Sequence, residues 1–186
     1  VVASFSEPWA MTFINENELL VTSKRGKLWV VSSKGKKTEV SGVPNVAFSG
    51  QGGLGDIILH PNFVKNSIVY FSYIEPEKEN NKLKGAVVAR AILDNSDFPK
   101  LSNLELIWEQ IPKKLGSGHY SHRLAFGPKG SRHERKLFIT SGDRQDGPSA
   151  QNMKSSLGKL IRVNDDGTFP NDNPFKTSGQ LAKSFW

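Results

Sequence analysis

The runs RLAF (123–126), KLFITS (136–141) and GKLIRVN (158–164) are short and apolar, and turn-rich segments part them. The same order occurs twice upstream. AMTF (10–13), ELLVTS (18–23) and KLWVVS (27–32) form one set, and DIILH (56–60), SIVYFSY (67–73) and AVVARAIL (86–93) form another. Three repeats therefore begin near Ala10, Asp56 and Arg123. Each gives a strand, a turn, a second strand, a variable loop and a third strand. Repeats of this size built from short strands read as propeller blades, so the expected fold class is all-β and a β-propeller.

Fourth strands are expected near 37–40 in the first repeat and over LELIWEQI (104–111) in the second. Alternation in LLVTS and KLWVV is imperfect, as it is where sheets are covered on both faces. The turns NEN (15–17), KRG (24–26) and SSKGKK (32–37) have suitable chemistry. EPEKENNKLKG (75–85) reads as an insertion in the second repeat and GDRQDGPSAQNMKSSL (142–157) as one in the third; GTFPNDNPFKTSGQLAKSFW (167–186) reads as an ordered loop. Propellers have about 4–8 blades. Three cannot close a ring and would leave open sheet edges. Residues 1–186 are therefore expected to form a partial propeller domain, the N-terminal half of a longer chain, with no second domain.

Composition narrows the function classes. Seventeen glycines, 10 prolines and a 37% hydrophobic fraction suit a strand-rich chain with a real core. No run of about 18 apolar residues occurs, so no membrane insertion is expected. The formal charge of +7 raises nucleic acid as a partner. The lysines, however, are scattered over turns (Lys34, Lys36, Lys37, Lys78, Lys82, Lys84), which is the pattern of a solvated surface. Cysteine is absent, which removes disulfides and thiolate metal sites and is compatible with the periplasm. The chain opens on VVASFSEPWA with no signal peptide, so the protein is either cytosolic or has lost a leader; a periplasmic or secreted location is expected.

Propeller topology says which loops meet. The first strand of each blade lines the channel, and strands alternate direction outward. The loop entering strand one and the loop between strands two and three thus share a face. Gln51 lies in SGQGGLGD before the second repeat, His119 in GSGHYSHR before the third, and Asp143 follows the second strand of the third repeat in TSGDRQ. All three are expected on one face near the axis, with His119 and Asp143 in hydrogen-bond reach. A carboxylate beside an imidazole fixes its tautomer and raises the basicity of the far nitrogen, which is the arrangement of a general base. A His and an Asp at turns are more often satisfied loop residues. The glycines around Gln51 and His119 allow close approach to a ligand or simply tight turns.

Together, EPWAMTF, SGQGGLGDIILHPNF, SGHYSHRLAFGP, LFITSGDR and LGKLIRVNDDGTFPNDNPF resemble the soluble, pyrroloquinoline-quinone (PQQ)-dependent aldose sugar dehydrogenases, relatives of soluble glucose dehydrogenase. The resemblance runs in order across nearly the whole chain. It implies a six-bladed propeller, of which this chain supplies about the first three blades. It implies that Gln51 contacts the quinone, that His119 is the general base and also lies at the cofactor, that Asp143 orients it, and that Arg123 is a further cofactor-site residue. The implied reaction takes a proton from the anomeric hydroxyl of an aldose and passes hydride to PQQ, giving a lactone. Ca²⁺ is implied as well, with ligands in later blades and no metal ligand on this chain, together with an unidentified electron acceptor. One departure is His122: the family carries small residues between the base and the arginine. Strand alternation is expected to turn His122 away from His119 into a structural role, the other reading being sugar selection.

Two alternatives come from other classes. A propeller lactonase would want acidic metal ligands at the blade entrances, where Gln51 and His119 stand. A non-catalytic binding propeller would not require Gln51, His119 and Asp143 together. Elsewhere, His60 reads as a turn residue, His133 has no assigned role, and Trp9, Trp29 and Trp108 read as core. Asp165, Asp166, Asp172 and Asn173 form a loose oxygen cluster better suited to turns than to Ca²⁺.

Overall fold

The computed structural model describes residues 1–186 as three antiparallel sheets. The first contains β1 (Pro8–Phe13), β2 (Glu18–Ser23), β3 (Lys27–Ser32) and β4 (Lys37–Glu39) in that order. The second contains β5 (Leu54–Leu59), β6 (Ile68–Pro76), β7 (Lys84–Asp94) and β8 (Lys100–Glu109), with the single helical turn α1 (Phe63–Asn66) between β5 and β6. The third has β9 (Ser121–Phe126), β10 (Lys136–Ser141) and β11 (Lys159–Asn164). Each sheet is thus a meander. The first strands β1, β5 and β9 lie side by side, β5 touching both others, as the inner strands of successive blades do.

Period-2 geometry explains how the middle sheet serves two cores. Val69, Phe71 and Tyr73 of β6, with Val87, Ala89 and Ala91 of β7, pack toward the first sheet with Leu20, Leu28 and Val30. The intervening Tyr70, Ile74, Ala86 and Val88 pack toward the third sheet with Leu124, Leu137, Ile139 and Ile161. Both faces are apolar, so no polar stripe marks the strand. The outward face of the first sheet carries exposed Met11 and Phe13.

A repeated device ties the blades together. Each inner strand departs from regular register near its start, between Pro8 and Met11, between Leu54 and Ile57, and opposite the step from Ile139 to Ser141. Such irregularities free a backbone group. A hydroxyl on the second strand satisfies it: Thr22, Ser72 and Thr140 accept from the N–H of Ala10, Asp56 and Arg123 at 3.0, 2.9 and 2.9 Å. Thr22 then donates to Gly55 O of the next blade at 2.7 Å, and Ser72 to His122 O at 2.9 Å. The repeat starts seen in the sequence are therefore the positions where each blade latches onto its neighbour. Thr22→Val keeps the volume but orphans both partners of a fully buried hydroxyl. It should cost about 1–3 kcal/mol, read as a lowered midpoint in chemical denaturation.

Observed elements extend the expected ones. β6 and β7 continue as a hairpin to Pro76 and from Lys84, so the insertion shrinks to 77–83. β8 starts at Lys100 rather than 104, through two register shifts against β7. The tail is mostly turns with a short 3-10 turn at Ala182–Ser184, anchored by buried Asn173, whose Nδ2 donates to Arg162 O and Lys183 O. No helix is long and apolar enough to cross a membrane.

Candidate active site

The loops before β5, before β9 and after β10 meet at one end of the inner strands. They enclose a recess of about 550 Å³ lined by Trp9, Gln51, His119, His122, Asp143 and their neighbours. Backbone and side chain both stitch Gln51 to the histidine loop. Its N–H donates to Ser117 O at 2.8 Å, and its Oε1 accepts from the His119 N–H at 2.7 Å. His119 Nδ1 lies 2.9 Å from Asp143 Oδ1. That oxygen also accepts from the Gln145 N–H at 2.9 Å. The Gln145 amide first, and the His119 ring second, hold the Asp143 carboxyl below its ordinary pKa. An ionised Asp143 can only accept, so Nδ1 carries the proton and Nε2 keeps its lone pair. The imidazole is half exposed.

The local backbone is unusual. His119, Ser121, His122, Arg144 and Gln145 all have positive φ without being glycine, a cost that tends to gather at functional sites. Gly142 permits the crossing of the two loops: a Cβ there would overlap the His119 carbonyl.

Arg123 stands apart from the other three. Its Nη1 is 3.4 Å from Asp56 Oδ1, and the side chain is 65% exposed. It lines a separate, larger recess of about 900 Å³ over the outward face of β1, which shares Trp9 with the first. Buried Asp56 is committed to backbone, accepting from Ile57 N–H and Leu124 N–H.

Positive φ angles at Ser121 and His122 interrupt regular strand geometry at this point. The His122 ring is buried, at 1% exposure, in the wall of the recess that His119 lines. It fills the space that Gly55 leaves and stacks on Trp9, with ring centroids 5.9 Å apart and planes 12° apart. Trp9 is accordingly a half-exposed channel residue, not a core one. Ser72 Oγ lies 2.8 Å from His122 Nδ1. The Ser72 proton is used on His122 O, so Nδ1 donates to Oγ and the buried Nε2 is left without a partner. Burial pulls this imidazole down to about 4. An unfolded histidine takes up its proton below about 6.5. The stabilisation is therefore complete above that pH and is lost as pH falls toward 4. Acid titration of stability should show a loss on the order of 3 kcal/mol across that window, and His122→Gln should flatten it.

The remaining sequence candidates are structural. His60 Nδ1 accepts from Asn62 N–H at 2.9 Å, the expected turn bond, and Nε2 meets Asp165 at 3.2 Å, clamping the second sheet to the third. Asp165 also pairs with Arg135, Asp166 caps the Thr168 turn and Asp172 holds Arg162. These three carboxylates are thus spoken for, whereas the buried Asn173 Oδ1 has no hydrogen-bond partner. His133 packs edge-on against Trp186 and Phe138.

The three sheets are successive blades of a β-propeller. The chain belongs to the glucose/sorbosone dehydrogenase family, whose model matches residues 5–186. It is 36% identical over 180 residues to the Escherichia coli aldose sugar dehydrogenase YliI, covering 95% of this chain and 46% of that protein. The crystal structure of the soluble E. coli aldose sugar dehydrogenase in its apo form superposes with a TM-score of 0.87 at 32% identity, over 97% of this chain and 50% of that one. The PQQ-bound aldose sugar dehydrogenase of Streptomyces coelicolor superposes with a TM-score of 0.79 at 30% identity, over 94% and 49%. The chain thus spans about half the length of these relatives.

Proposed function

We propose that residues 1–186 are the first half of a six-bladed, PQQ-dependent aldose sugar dehydrogenase that oxidises the C1 hydroxyl of an aldose to a lactone. The observation that carries this reading is the His119–Asp143 pair, which leaves a bare imidazole nitrogen on a recess shared with Gln51. The similarity to a protein described as PQQ-bound supports the choice of cofactor.

The residues present suit a flat, acidic quinone. With its Oε1 used by the His119 N–H, the Gln51 amide presents N–H groups to a carbonyl or carboxylate oxygen. His119 would meet the same ligand from the rim it shares with Gln51, whereas Arg123 lines the separate recess over β1. When bound, the quinone supplies the two-electron acceptor that receives the C1 hydrogen as hydride. His119 Nε2 takes the proton of the C1 hydroxyl, while Asp143 holds the ring in the required tautomer and stabilises the imidazolium. The resemblance places the Ca²⁺ ligands in later blades. A periplasmic or secreted location fits the resemblance.

The test is reconstitution of the full-length protein with PQQ and Ca²⁺, followed by dye reduction and product analysis with glucose and other aldoses. Sugar-dependent reduction with lactone formation is expected. No turnover of any aldose by quinone-loaded protein would overturn the reading in favour of a binding propeller.

A further inference from the structure

We propose that Arg144, the residue after Asp143, is the positioning residue for the proposed base: it fixes the backbone of the His119 loop while Asp143 fixes the ring. The inference rests on the dehydrogenase reading of His119.

Arg144 is buried at 5% exposure and pairs with no carboxylate. Its guanidinium is instead wrapped by carbonyls of the loop that carries His119. Nε donates to Gly118 O at 2.8 Å, and Nη2 donates to Gly116 O at 2.9 Å and Leu115 O at 3.2 Å. Nη1 donates to Lys84 O, at the start of β7. The flat face lies 3.8 Å from the Tyr120 ring centroid, and Tyr120 OH closes the wrap on Gly116 O at 3.1 Å. The Arg144 main-chain N–H reaches His119 O at 3.2 Å. Residues 115–120 thus curl around one cation, and the half-exposed His119 side chain projects from the curl.

The geometry explains why the residue is arginine. A planar fork with five donors can satisfy four carbonyls at once and stack on a ring; an ammonium cannot. The Lys84 contact ties a loop of positive-φ residues to a strand buried on both faces, so the loop inherits the rigidity of the sheet. Asp143 and Arg144 then act as adjacent arms on one histidine. Without the second arm the His119 loop shifts relative to Asp143, so the Nδ1 hydrogen bond is weakened together with the ring's place relative to Gln51 and the sugar.

The test uses the full-length protein as wild type, Arg144→Lys and Arg144→Met. ¹⁵N NMR of the His119 ring, recorded without quinone or sugar, reads the tautomer. Steady-state kinetics after quinone loading read the consequence. The wild type should show a single Nδ1–H tautomer. Arg144→Lys should show averaged nitrogens and a kcat lower by about 10²-fold, with quinone affinity and sugar KM within about threefold. If Arg144→Met does not fold, Arg144→Lys, which keeps the stem and the charge, carries the test. A wild-type tautomer and kcat in a folded variant would overturn the proposal. So would a parallel loss of quinone binding and kcat, which is what a merely structural residue gives. The NMR readout remains legible if no sugar turns over, so its outcome is separate from that of the dehydrogenase reading.

Discussion

His119→Ala in the full-length protein should lower aldose turnover by about 10²–10⁴-fold, while quinone affinity changes little. The split follows from the geometry. The side chain contributes a lone pair at Nε2, and that lone pair exists because ionised Asp143 claims the Nδ1 proton. Quinone contacts proposed for the Gln51 amide survive the truncation, because Gln51 Oε1 accepts from the His119 backbone N–H, which alanine retains. Spectrophotometric titration with PQQ and kinetics with a saturating aldose separate the two effects. Normal turnover in the variant would remove His119 from the mechanism.

Gly55→Ala should lower stability by about 1–3 kcal/mol. An added Cβ would overlap the His122 ring and come within 2.9 Å of Ser72 Oγ. The strain falls on the latch between the second and third blades, where Ser72 accepts from Asp56 N–H and donates to His122 O. It falls as well on the imidazole stacked against Trp9 in the recess wall. The effect should be strongly coupled to His122. In the double variant Gly55→Ala/His122→Ala the clash is gone, so the two substitutions together should cost less than their sum. Thermal melts of the four proteins give the coupling directly; strict additivity would show that the ring does not occupy the space Gly55 leaves.

Much of the fold was legible because it repeats. AMTF, DIILH and RLAF each start where an inner strand bulges, and a Thr or Ser in the following strand answers that bulge, so one physical device wrote the same pattern three times. The outer strand β8 was placed late because Lys100–Asn103 is polar apart from the buried Leu101, with Asn103 at positive φ. It pairs with β7 through register shifts that no alternation reveals. At the site, topology was enough to bring Gln51, His119 and Asp143 together. It did not bring Arg123 into their recess; Arg123 lies within the register shift between Ser121 and Leu124. Trp9 read as core because a tryptophan at a strand start lacks any mark of the channel it faces. Arg144 gave no signal of its own. In GDRQDG it looks like an exposed loop cation, and burial follows only from carbonyls about 26–60 residues away in sequence.

The central claim, that the recess of Gln51, His119 and Asp143 is the seat of the cofactor and the sugar, is most directly tested by a crystal structure of the full-length protein with PQQ bound. The account predicts quinone oxygen within hydrogen-bond distance of the Gln51 side-chain amide, with His119 Nε2 facing the same ligand. A quinone seated elsewhere, for example in the recess over β1, would contradict it.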